Sequence, residues 1–115
     1  MKIAYLDTIA GIAGDMTMAA FVSAGLPIDE LAAELRKLPL EGFELQARHV
    51  QKHAIAAVHI DVVITHEPHH HRHLKDILSI IERSSFSDQV KMRASAVFQA
   101  IGVAEAKVHG TTLEK

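Results

Sequence analysis

Five of the chain's nine histidines fall within the eight residues His66-Glu67-Pro68-His69-His70-His71-Arg72-His73. Neutral imidazoles with a carboxylate among them and no thiol form a donor set for a borderline divalent metal: nickel, zinc, cobalt or copper. A run of adjacent polar rings has no apolar face to bury, which excludes an ordinary core element. His66, His69, His70, His71 and His73 are therefore the candidate metal ligands. His109, far along the chain, is a candidate additional ligand. Below neutral pH these rings, with a free pKa of about 6.5, become charged and repel a cation.

A second stretch with chemical content runs from Asp7 to Asp15, where Gly11 and Gly14 punctuate a loop that leads into a helix. A helix start aims free N–H groups outward and commonly holds an anion. Here the glycines match neither the dinucleotide fingerprint nor the phosphate loop ending in Gly-Lys-Ser/Thr, and two carboxylates would repel a bare phosphate. The pair could hold a magnesium-like ion instead. The structural alternative gives Asp15 the role of helix cap and lets Asp7 fix the turn through backbone hydrogen bonds.

These residues must be carried by a small scaffold. At 115 residues and 49% hydrophobic composition, the chain supports one modest core, so a single domain over residues 1–115 is expected. Twelve basic and fourteen acidic residues leave a net charge of −2, without the basic stripe and interleaved aromatics that track nucleic acid. The absence of cysteine rules out disulfides and thiolate zinc sites. No apolar run approaches the roughly 20 residues of a membrane span, and no secretory signal opens the chain. A cytoplasmic location without nucleic-acid or membrane partners is expected.

Residues 2 to 6 read as a short buried strand ended by Asp7. A helix follows from the loop to about Ala24, stopped by Gly25, and another runs from Pro27 through Ile28, Leu31, Leu35 and Leu38 to Pro39. The period then changes to two. Phe43, Leu45 and Ala47 mark one strand and Val58, Ile60, Val62 and Ile64 a second, with a hairpin near Gln51-Lys52-His53 that leaves His49, His53 and His59 on solvated surface. Leu74, Ile77, Leu78 and Ile81 mark a third helix. A fourth, capped by Ser87, runs past Ile101 toward Gly110. The order strand-helix-helix-strand-strand-helix-helix is an α/β or α+β layer with helices covering a small sheet.

Pro68 leaves two registers for the histidines. An extended chain through His73 projects His69, His71 and His73 on one side. A helix starting at Pro68 would bury His70 and His71 and place His69 and His73 four apart, a spacing for two ligands on one helix. Desolvating two unpaired imidazoles is costly, so a late helix start is favoured.

Asp7 through Met16, Leu38-Pro39-Leu40-Glu41-Gly42-Phe43-Glu44-Leu45, the segment from His69 to Asp76, and Ala104-Glu105-Ala106-Lys107-Val108-His109-Gly110 together resemble the N-terminal region of the LarC nickel-insertion proteins. The resemblance implies a parent activity: insertion of nickel, with CTP, into a pyridinium bis-thiocarboxylate mononucleotide to make the nickel-pincer cofactor. It implies Ni²⁺ as cargo, and Mg²⁺ or Mn²⁺ with CTP for the full-length enzyme, a nickel chelatase classed with the lyases. It also raises the loop of Asp7, Gly11, Gly14 and Asp15 as a functional element whose chemistry is unassigned. The family continues well past the equivalent of Gly110, so this chain reads as an N-terminal fragment that need not catalyse alone, and a homo-oligomer stays open. Two other classes of function compete with nickel handling: a stand-alone histidine-rich storage or buffering module, and a nucleotide- or phosphate-binding domain built on residues 7–15.

Overall fold

The computed structural model describes residues 1–66 and 72–110. It is an α+β arrangement in the order α1 (Gly14–Ser23), α2 (Ile28–Leu35), β1 (Phe43–Lys52), β2 (Ile55–Ile64), α3 (Leu74–Glu82) and α4 (Asp88–His109). Its contacts divide into two compact units, Met1–Ala32 with Glu44–Ile64 and Ala33–Phe43 with Thr65–Lys115.

In the first unit β1 and β2 pair as a two-stranded sheet, and α1 packs on β2. The buried residues of those two elements are Ala19 on α1 and Ile60 on β2, the latter only 2% exposed. The small alanine lets the helix approach, and the isoleucine supplies the apolar surface removed from water. The hairpin turns at His53 and Ala54, whose φ angles of 50° and 64° carry the signature of a two-residue type I′ turn. Neither residue is glycine. The right-handed twist of the paired strands therefore holds an alanine in a region that L-residues ordinarily avoid.

The strand expected over residues 2–6 is not formed. Residues 1–8 have no regular secondary structure and are exposed throughout, with Tyr5 at 87%. An apolar run becomes a strand only when a neighbour accepts and donates its ladder hydrogen bonds. Among the described residues the sheet has no third member.

In the second unit α3 packs against α4. Ile81 and Ser84 are buried, and the Ser84 hydroxyl donates to the Ile81 carbonyl at the end of α3. Lys91 Nζ donates to the Glu82 carbonyl at 2.7 Å, a second partner for the carbonyls that a helix end leaves open. Ser85 N–H donates to the Lys37 carbonyl at 3.1 Å, tying the 33–43 segment to the α3–α4 junction. Ser87 caps α4 as its position suggested, accepting from Val90 N–H, and Gly110 ends it at a φ of 60°. α2 stops at Leu35 rather than Leu38, because Lys37 and Leu38 tighten into i→i+3 bonds to Glu34 and Leu35.

Candidate functional site

The histidine segment leaves the end of β2 at a defined point. Thr65 N–H donates to the Gly42 carbonyl at 2.8 Å, and Gly42 sits at a φ of 80°. A Cβ at position 42 would lie 3.1 Å from His66 Cβ and 3.2 Å from the His66 carbonyl oxygen. Only glycine has both the conformation and the clearance to let the turn before β1 close on His66. Nothing in the residue pattern marked this contact. The sole hint was that Gly42 lies within a string shared with a known family.

The other end of the segment is held by α3. This helix starts at Leu74 with His73 as its extended N-cap residue, and the Asp76 carboxylate accepts from the His73 backbone N–H at 2.9 Å. The late start is observed, and a continuous helix from Pro68 is excluded because Arg72 and His73 precede the helix in non-helical backbone. His69, His70 and His71 lie outside the described residues, with Glu67 and Pro68. His66 and His73 are exposed, as is His109 at the last position of α4. Among the described residues no three of the His, Asp and Glu side chains come together as a metal cage.

The 7–15 loop turns through Gly11, whose N–H donates to the Thr8 carbonyl at 3.1 Å with a φ of 82°. Asp15 does not cap α1. Ala13 holds the N-cap position and makes no side-chain hydrogen bond, which places Asp15 inside the first turn. There its carboxylate accepts from Met16 N–H at 2.8 Å and complements the positive end of the helix. Gly14, as the first helical residue, puts Asp15 two positions past the cap, where a short side chain cannot reach back across the helix start. Asp7 accepts no backbone hydrogen bond among the described residues, so the turn closes on its own backbone.

One polar cluster went unread. Asp61 on β2 accepts from Arg48 Nε on β1 at 3.0 Å, and His59 Nε2 lies 3.0 Å from its other oxygen. A two-residue turn at 53–54 sets Lys52 opposite Ile55, hence Arg48 opposite His59 and diagonal to Asp61. Chain reading placed His59 on solvated surface; its partner required the register. The Arg48 hydrogen bond, followed by that of His59, holds the Asp61 carboxyl below its ordinary pKa. A depressed carboxylate stabilises the fold above its unfolded pKa and loses that contribution as pH falls through the folded value. Acid titration of the hairpin should therefore show a small loss of stability below the usual carboxylate range, absent in Asp61→Asn. An identical acid profile in the variant would remove this pair from the account. Beside these residues a cavity of about 500 Å³ opens between the α1–α2 turn and the hairpin, lined by Val22, Leu26, Ala47, Arg48, His49 and Val58 among others.

Compared with known proteins, residues 4–115 match the family described as Nickel insertion protein. The chain belongs to that family. The pyridinium-3,5-bisthiocarboxylic acid mononucleotide nickel insertion protein of Geobacillus kaustophilus is 46% identical over 99% of this chain. The protein of the same name from Staphylococcus epidermidis is 41% identical, again over 99% of the chain. The chain spans about 30% of the length of these curated relatives. No solved structure matches. Among the described residues no helix is long and apolar enough to cross a membrane.

Proposed function

We propose that this chain is the N-terminal metal-handling domain of a CTP-dependent nickel-insertion enzyme acting on a pyridinium bis-thiocarboxylate mononucleotide, and that its histidine segment collects the Ni²⁺ to be inserted. The observation that carries this reading is the family match over residues 4–115 on a chain with five histidines in eight residues. Nickel here is cargo. Delivery needs ligands that exchange, and imidazoles on the run between His66 and His73 suit transfer better than a closed four-ligand structural site. CTP and its Mg²⁺ or Mn²⁺ belong to the complete enzyme, as does the reaction itself. Residues 7–15 are a second candidate functional loop of this chain, with no chemistry assigned to it.

Calorimetric titration of the 115-residue chain separates this reading from its rivals. Binding of Ni²⁺ at neutral pH without binding of CTP is the expected result. Binding of CTP without Ni²⁺ would make residues 7–15 a nucleotide site and overturn the assignment.

A further inference from the structure

α4 is far longer than what covers it. At 1.5 Å per residue its 22 residues run about 33 Å, whereas the nine residues of α3, its partner in the unit, run about 14 Å. Val90, Val97, Ile101 and Val108 follow one another at intervals of seven, four and seven, which returns each to the same line of the helix within about 20°. All four side chains are exposed, Val97 at 58% and Val108 at 81%. A straight apolar line about 27 Å long, exposed along a helix, needs a covering surface.

We infer that this line is the seat of the polypeptide making up the other seven-tenths of the family's length. The occupant is indicated by proportion: relatives align with the whole of this chain yet extend to more than three times its length. The stripe supplies uncharged branched side chains in a row, the form in which one helix accepts an apolar helix or sheet face. This inference rests on family membership and is independent of where nickel binds.

The chain has no cysteine, so single cysteines report coverage directly through their alkylation rate. Val97→Cys and Ile101→Cys lie on the line; Met92→Cys, at a position 66% exposed and two residues on from Val90, lies on the other side of the helix. Each variant is alkylated alone and when co-purified with the remaining seven-tenths of the Geobacillus relative. The same rates are read with the two joined as one polypeptide, which covers the case of a remainder that does not fold separately. Position 97 and 101 thiols should react at least about tenfold more slowly with the remainder present, while position 92 stays within about twofold. Unprotected thiols at 97 and 101 in the joined protein would overturn the inference. So would protection in the isolated chain that grows with its concentration, which would make a second copy the occupant.

Discussion

Replacing His69, His71 and His73 together by alanine should weaken Ni²⁺ binding at neutral pH by at least tenfold, about 1.4 kcal/mol or more, while the far-ultraviolet circular dichroism stays unchanged. The fold should survive because α3 is started through the His73 backbone. His73 contributes its backbone to the start of α3, where its N–H meets Asp76, and alanine keeps that N–H. The buried residues of the unit are Ile81 and Ser84, neither of them a histidine. The same affinity should fall in the unsubstituted chain as the pH is lowered, because a protonated imidazole cannot ligate a metal. Nickel affinity that is equal in variant and parent would move the site off this segment.

Gly42→Ala should be the most damaging single-residue change in the turn before β1. An L side chain forced into the left-handed region costs roughly 1–2 kcal/mol, which lowers the thermal midpoint by about 5–10 °C in a chain of this size. The added methyl would also press on His66 Cβ and the His66 carbonyl. Neither group is the end of a flexible side chain, so the turn itself must move and strain the Thr65–Gly42 hydrogen bond. Gly110→Ala is the internal control: its φ is also positive, but among the described residues nothing lies within 4 Å of an added Cβ. Thermal melts should therefore rank Gly42→Ala clearly below Gly110→Ala. Equal losses would mean that the contact with His66 carries no weight.

Local signals were legible in the chain and non-local ones were not. Gly25, Ser87 and Gly110 act on their own few residues of backbone, and each ends or starts a helix where its chemistry demands. The cost of burying two unpaired imidazoles was enough to place the start of α3 late. By contrast, the apolar run at residues 2–6 carries strand propensity, but a strand exists only by pairing, and no sequence window contains the partner. Asp15 missed the cap by two positions, the usual uncertainty of a helix boundary. The grip of Gly42 on His66 and the Arg48–Asp61–His59 cluster both join residues from different elements. They became readable only once the hairpin register was known.

That register leaves no slack. β1 and β2 are both ten residues long and are joined by two turn residues, so every cross-strand partner is set by counting from one turn. Side chains alternate faces at each step. Deleting or inserting one residue between Ile55 and Ile60 would turn Ile60 outward and send a polar neighbour toward α1. A single-codon insertion here would thus do more harm than most substitutions, whereas the same insertion ahead of Thr8 meets no strand pairing among the described residues. The hairpin works as a ruler for its own unit: counted from the turn, it measures off which face the core isoleucine takes.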